Sequence, residues 1–363
     1  MDYTQERVAT LHDYGGADPD APVERATVVV PMTEREHAGL AADGVLSTLE
    51  SLAPERVLVP LRAPAERVPD FVDWLDEFDL PLDVLWCSGP RVADLLAEAG
   101  LKGERGKGRD VWLALGVAAD SEYVVVHDAD ATSYDERDVP KLLAPLAGEF
   151  AFAKGYYARV ESRRLYGRLF RLFYEPLLAA LDERHDADVV DFFGAFRYAL
   201  AGECAMTSDL ARSMRIPRRW GLEVGTLGEA YRVVGADAAA QVDLGFYEHD
   251  HRSVSGPTGL GDMSDGVAAA LFRALEETGV DPDYETLPER YADAAERFRR
   301  GYAADAAFNG FAHDSSAERE QVETYREAVA PPGADDRLPA WTDAPIDPSD
   351  VVDAASADLD AVR

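Results

Sequence analysis

Short apolar runs alternate with helix-periodic stretches along the first third of the chain. Residues 26–31 (ATVVVP), 56–61 (RVLVPL), 82–87 (LDVLWC) and 122–127 (EYVVVH) are continuous and rich in branched side chains, so they read as strands buried on both faces. Between them, residues 35–51, 65–78, 91–98 and 107–118 read as helices. This alternation predicts an α/β fold with a mainly parallel sheet flanked by helices. The second half is less regular. Residues 150–160 and 239–247 read as strands, and 163–182, 220–234, 264–278 and 288–309 as helices. No internal repeat is visible. The expected organisation is a flexible lead-in over 1–25, a main body over 26–262, a helical extension over 263–330 and an acidic tail over 331–363.

Composition adds a solvent to this picture. Of 363 residues, 47% are hydrophobic, enough for a folded core, while 36 Lys plus Arg face 69 Asp plus Glu for a formal charge of −33. Both nucleic acid and anionic membranes would repel such a chain, and no apolar stretch is long enough to span a bilayer. Only Lys102, Lys107, Lys141 and Lys154 are lysines, and the acids are spread throughout. That pattern resembles proteins from organisms with molar salt in the cytoplasm, where screening quiets surface repulsion. The polar N-terminus offers no secretory signal, and Cys87 and Cys204 offer neither a disulfide framework nor zinc-ligand spacing. A cytoplasmic location is expected.

Against this acidic background a few residues stand out by position or sign. Asp-x-Asp occurs five times, yet only Asp128-Ala129-Asp130 directly follows a strongly apolar strand. Ligands of open α/β sheets bind beyond the carboxyl ends of strands, and two carboxylates there suit Mg²⁺ or Mn²⁺ with phosphates completing the shell. An EF-hand fits poorly, because Ser133 and Val139 stand where Gly and Glu are wanted. Gly106-Lys107-Gly108 opens a helix without matching a P-loop, but amides and an ammonium suit a diphosphate or an ordinary glycine turn. His249 and His251, in YEHDH after a strand, are either surface histidines or completions of a metal shell. Glu223 begins a helix, where an acid favours the dipole or accepts sugar hydroxyls. Four arginines within residues 163–171 mark an anion site or an internal ion-pair network.

Taken in order, Pro31, Gly106-Lys107-Gly108, Asp128-Ala129-Asp130, Gly167-Arg168, Leu200-Ala201-Gly202-Glu203, Trp220-Gly221-Leu222-Glu223-Val224-Gly225 and Gln241-Val242-Asp243-Leu244-Gly245 leading to Glu248-His249 resemble the glucosyl-3-phosphoglycerate and mannosyl-3-phosphoglycerate synthases. These are retaining glycosyltransferases of the GT-A fold, a Rossmann-like nucleotide-diphospho-sugar transferase architecture. The resemblance runs from about residue 26 to 270. It implies a nucleotide-sugar half over 26–130 and an acceptor half over 131–262. It implies transfer of a hexose from UDP-glucose or GDP-mannose to 3-phosphoglycerate, in compatible-solute synthesis, by a homodimer. Asp130 would be the main metal ligand, with Asp128 and His249. Pro31, Met32, Thr33, Arg35, Ser88 and Ala129 would line the nucleotide, and Lys107 would meet the diphosphate. Glu223 and the backbone at Leu200 would hold the donor sugar. Gly167, Arg168, His249 and His251 would take the acceptor. The chain departs from the family where Thr33-Glu34-Arg35-Glu36 replaces an Asn-Glu pair and where Phe170 replaces a Thr often found two positions after the acceptor arginine. A sugar-phosphate nucleotidylyltransferase would want a Gly-rich, Arg-containing loop where Met32-Thr33-Glu34 stands. A non-catalytic acidic metal-binding module would scatter its acids without regard to strand ends.

Overall fold

The four apolar runs of the first third become the parallel part of a nine-stranded sheet; those of β2, β4 and β6 are buried on both faces, and that of β5, beside β4, only toward its end. A computed structural model describes residues 4–250 and 257–363. In chain order its first half runs β1 (Ala9–Leu11), β2 (Ala26–Val29), β3 (Met32–Thr33), α1 (Leu40–Leu52), β4 (Arg56–Arg62), α2 (Val68–Leu75), β5 (Leu82–Trp86), α3 (Pro90–Glu98), α4 (Lys107–Ala118) and β6 (Tyr123–Val126). Then follow α5 (Asp138–Leu143), β7 (Phe152–Ala158), β8 (Val160–Glu161), β9 (Arg164–Leu165), α6 (Glu175–Asp182), α7 (Asp188–Gly194), β10 (Cys204–Thr207), α8 (Ser208–Ser213), α9 (Leu222–Val234) and β11 (Ala239–Phe246). Four further helices close the chain: α10 (Pro257–Glu277), α11 (Leu287–Asn309), α12 (Ser315–Arg326) and α13 (Pro348–Val362). None of the described helices is long and apolar enough to cross a membrane.

The strand order is β1-β11-β7-β10-β6-β2-β4-β3, with β5 also on β4. Strands β6, β2, β4 and β5 are mutually parallel. Their carboxyl ends therefore open on one edge, and it is this edge that carries the candidate site. β10 runs antiparallel between β6 and β7, and β11 returns parallel to β7.

Four features differ from expectation. The stretch expected as one helix over 163–182 starts instead with a β8–β9 hairpin, turned by Ser162 and Arg163 at φ 48° and 57°. It continues as a π-helical turn at Phe170–Tyr174 before α6. β3, α5, α7, β10, α8 and α12 have no counterpart among the predicted elements. The lead-in supplies β1, which pairs in parallel with β11 at the sheet edge. The acidic tail contributes α13, whose Asp358 is 1% exposed and accepts hydrogen bonds from the Arg91 and Val92 amides at the start of α3.

Candidate active site

The ends of two parallel strands and the start of one helix bring the predicted residues together. β6 ends at Val126 and delivers Asp128, Ala129 and Asp130; β2 delivers Pro31, Met32 and Thr33; α4 begins at Lys107. All seven line one cavity of about 190 Å³. Sequence reasoning missed three others on its wall: Glu36, Arg62 and Asp110. Glu36 accepts from the Thr33 amide and hydroxyl at 2.6 and 2.7 Å. Arg62, the last residue of β4, donates from Nε to Asp110 at 2.9 Å, while Arg109 holds the other Asp110 oxygen.

The glycines of Gly106-Lys107-Gly108 serve close packing. A Cβ on Gly108 would stand 1.8 Å from the carbonyl oxygen of Pro217, and the Arg109 amide donates to the Arg218 carbonyl at 2.9 Å. This seats the 217–219 segment on the start of α4, beside α9 and Glu223. Lys107 then reaches across the cavity. Its Nζ is 2.6 Å from Asp128 Oδ1 and 3.4 Å from Glu223 Oε1. Burial alone would depress this ammonium, but the charges of Asp128 and Glu223 outweigh it and hold the proton far above the ordinary range. Asp128 likewise resists burial and is lowered by Lys107.

Among the described residues, no cation pairs with Asp130 in this way. Burial first, and then the neighbouring Asp128 charge, push its carboxyl up to about 7. A divalent cation at this pair would supply the missing positive charge, and two carboxylates leave room for waters and phosphate oxygens, as Mg²⁺ prefers. The described residues contain no ready cluster of three or more metal-binding side chains. His249 is nonetheless brought alongside: residues 248–250 lie antiparallel to 130–132, through an Ala131–His249 bridge and a 2.7 Å bond from the Asp250 amide to the Asp130 carbonyl.

Behind the pair lies the 200–203 turn. A Cβ on Gly202 would meet Asp128 Oδ2 at 2.4 Å, so this turn, which includes Leu200, backs directly onto the site. Two buried ionisable residues to which the sequence reading gave no role support it. Lys154 donates to the Ala201 carbonyl at 2.5 Å. Glu203 is fully buried beside Asp128 and Tyr157, and burial followed by the Asp128 charge pushes its carboxyl up to about 8. Their signal was available, since Lys154 is one of four lysines and Glu203 belongs to the Leu200-Ala201-Gly202-Glu203 motif.

Other expected residues stand apart. Arg35 is exposed and does not line the cavity; the adjacent Glu36 does. Ser88 also lies off the lining, its hydroxyl spent on the Ala63 carbonyl at 2.8 Å and on the Trp86 indole at 3.0 Å. Gly167 (φ +71°) and the exposed Arg168 flank the site through Tyr198, whose hydroxyl would lie 3.4 Å from a Cβ at 167. The arginine-rich segment is in part an internal network. Arg171 is taken internally by Glu318 and the Tyr302 ring, and Arg163 by the Gly310 carbonyl, leaving Arg168 toward solvent. His251 lies outside the described residues.

A glucosyl-3-phosphoglycerate synthase from Methanococcoides burtonii is 35% identical over 94% of this chain and 93% of its own length. The chain belongs to the glucosyl-3-phosphoglycerate synthase family. Another member, from Persephonella marina, is 34% identical over 83% of this chain and 79% of its own. No family model matches. Among solved structures, the Mycobacterium tuberculosis glucosyl-3-phosphoglycerate synthase with Mn²⁺, UDP-glucose and phosphoglyceric acid aligns at a TM-score of 0.56 and 25% identity, covering 77% of this chain and 90% of that one. The same enzyme with Mg²⁺ and UDP aligns at 0.56 and 26%, covering 76% and 88%. The fold is therefore GT-A and the protein is a glycosyltransferase. Within a glucosyl-3-phosphoglycerate synthase, Asp128, Asp130 and Lys107 occupy the edge of the sheet where a nucleotide diphosphate binds in α/β folds.

Proposed function

We propose that this protein moves glucose from UDP-glucose to the hydroxyl of 3-phosphoglycerate, retaining the anomeric configuration, with Mg²⁺ or Mn²⁺ held by Asp128 and Asp130 and bordered by His249. Membership of the family over nearly the whole chain supports the reading. The structural observation that carries it is Lys107, an ammonium held between Asp128 and Glu223 at the strand ends. A diphosphate leaving group calls for such a charge. A divalent cation, when bound, adds Lewis-acid neutralisation of the departing diphosphate. Pro31, Met32, Thr33 and Ala129 border the nucleotide, and Glu223 with the turn at Leu200 faces the sugar.

Glu223 is engaged by Lys107, which suits a hydroxyl acceptor better than a covalent nucleophile. A same-face substitution then balances without an enzyme-bound sugar. The anomeric carbon–diphosphate bond breaks, the bond to the acceptor oxygen forms, and the hydroxyl proton passes to a diphosphate oxygen. Gly167 and Arg168 hold an anionic group of the acceptor. A homodimer and a cytoplasmic location complete the reading; both cysteines are buried and unpaired, in keeping with a reducing compartment.

The test is separate incubation of UDP-glucose and of GDP-mannose with 3-phosphoglycerate, Mg²⁺ or Mn²⁺ and molar KCl, followed by mass spectrometry. Hexosylated phosphoglycerate from UDP-glucose is expected. Its absence from every incubation overturns the acceptor assignment. A product from GDP-mannose alone overturns the donor. Light scattering checks the dimer.

A further inference from the structure

The proposed acceptor carries two anionic groups. Its carboxylate is on the carbon that bears the attacking hydroxyl, and its phosphate is one carbon further out. In the motif read for it, Arg168 next to Gly167 is exposed, while Arg171 and Arg163 are engaged elsewhere and Arg164 lies in the β8–β9 hairpin. A second cation arrives from a different element. Arg159 follows the end of β7, immediately beside the end of β11 from which His249 emerges; the Tyr247 amide donates to the Ala158 carbonyl.

We propose that Arg159 binds the carboxylate of the acceptor while Arg168 takes the phosphate, an inference that rests on the function proposed above. Three observations converge on it. Arg159 Nη1 donates to the Tyr198 hydroxyl at 3.3 Å, and that same hydroxyl borders Gly167, so Arg159 joins the acceptor turn through one ring. The Tyr157 ring lies 5.0 Å from Tyr198 and 5.7 Å from His249, which places the group between the acceptor turn and the metal carboxylates. Phe170, where the family often has a hydroxyl, packs edge-on against Tyr198 at 5.0 Å. The polar donors lost at 170 are thus supplied by Tyr198 and Arg159, with Phe170 fixing the tyrosine.

Position decides which anion goes where. Arg159 is half-buried at the strand end next to the segment that carries His249, whereas Arg168 is exposed. Both guanidiniums can take either anion bidentately, so it is this placement that assigns the carboxylate to Arg159. Burial opposes the Arg159 charge, and Tyr198, Tyr157 and Glu161 around it outweigh that burial.

The experiment uses the full chain with UDP-glucose, Mg²⁺ and molar KCl, and reads KM for each substrate together with inhibition by glycerol 3-phosphate, which lacks the carboxylate. Arg159→Gln is expected to raise KM for 3-phosphoglycerate about 10- to 100-fold, the scale of a lost charged hydrogen bond, with KM for UDP-glucose unchanged. Arg159→Lys should recover only part, and inhibition by glycerol 3-phosphate should stay at the wild-type level. Arg168→Gln should weaken both ligands. Tyr198→Phe, which removes one oxygen, should raise the same acceptor KM several-fold and secures the test if Arg159→Gln does not fold. An unchanged acceptor KM in Arg159→Gln, or in Tyr198→Phe where that variant stands in, overturns the proposal. So does equal weakening of glycerol 3-phosphate and 3-phosphoglycerate. Wild-type turnover is measured first: no transfer to 3-phosphoglycerate overturns the proposed function and this inference with it, whereas wild-type turnover with an indifferent Arg159→Gln overturns this inference alone.

Discussion

A methyl group on Gly202 would sit 2.4 Å from Oδ2 of Asp128, whose other oxygen is pinned by Lys107 at 2.6 Å. The backbone has room to stay, because the colliding atom is the tip of a side chain, so Gly202→Ala should shift the carboxylate and leave the fold alone. Misplacement by about 1 Å costs on the order of 100-fold in rate, and that loss in kcat with a near wild-type melting temperature is the expected result. Full turnover would show that Asp128 need not be held where it is. Glu175 supplies a different measurement. Burial pushes its carboxyl from 4.5 up to about 7. The folded protein therefore keeps this proton after the unfolded chain has lost it, so stability falls as pH rises through about 4.5 to 7 and the full penalty stands above that window. Glu175→Gln removes the penalty: its melting temperature should exceed the wild type by a few degrees at pH 8 and by clearly less at pH 5.5. An equal difference at both values would exclude a titrating Glu175.

Elements in the first half were legible because β2, β4, β5 and β6 are short apolar runs separated by helical spacing, a pattern that local chemistry writes directly. β10 was not. Its four residues show no alternation, and only long-range pairing between β6 and β7 makes them a strand. The β8–β9 hairpin was hidden because Ser162 and Arg163 adopt positive φ without Gly or Asn to announce a turn. The Asp128/Asp130 pair was readable from its place after a strand, whereas Arg62, Glu36 and Asp110 look in the sequence like any other surface charges. The docking of the tail was not legible because it rests on residues far apart in sequence: Trp341 stacks on Trp112 with ring centres 4.2 Å apart and 12° between planes, and each indole donates to the opposing segment, at 2.8 and 2.7 Å. Gly116 makes the space, since a Cβ there would enter the Trp341 ring. As Trp112 lies on α4, the tail braces the helix that presents Lys107. Trp341→Ala should cost about 3–5 kcal/mol, read as a fall in the denaturation midpoint, with Trp341→Phe losing less. An unchanged midpoint in Trp341→Ala would mean that the tail does not brace α4.

At the scale of the whole molecule, an excess of 33 acids must be kept on one folded surface. Some of the charge is organised: Arg215, Arg232 and Arg337 converge on Glu229 and Glu277, tying α9, α10 and the tail segment together. A surplus of 33 acids has no basic residue to pair with one-to-one, because 36 basic residues face 69 acids. In millimolar salt the Debye length reaches about 30 Å, so acids across the whole surface repel one another; at about 1 M it shrinks to about 3 Å and only neighbours interact. Salt also weakens exposed pairs such as Arg56–Asp83, but each is worth only about 0–1 kcal/mol and loses little by screening. Repulsion summed over the surface outweighs those losses, so stability should rise with KCl. Circular dichroism should show native ellipticity in molar KCl, progressive loss of structure on dialysis to millimolar salt, and recovery on adding KCl back. A neutral osmolyte should not replace the salt if screening is the cause. Ellipticity unchanged from molar to millimolar KCl would show that the acidic surface is not a device for a salty solvent, and recovery in the osmolyte alone would put the effect of KCl in preferential exclusion rather than charge.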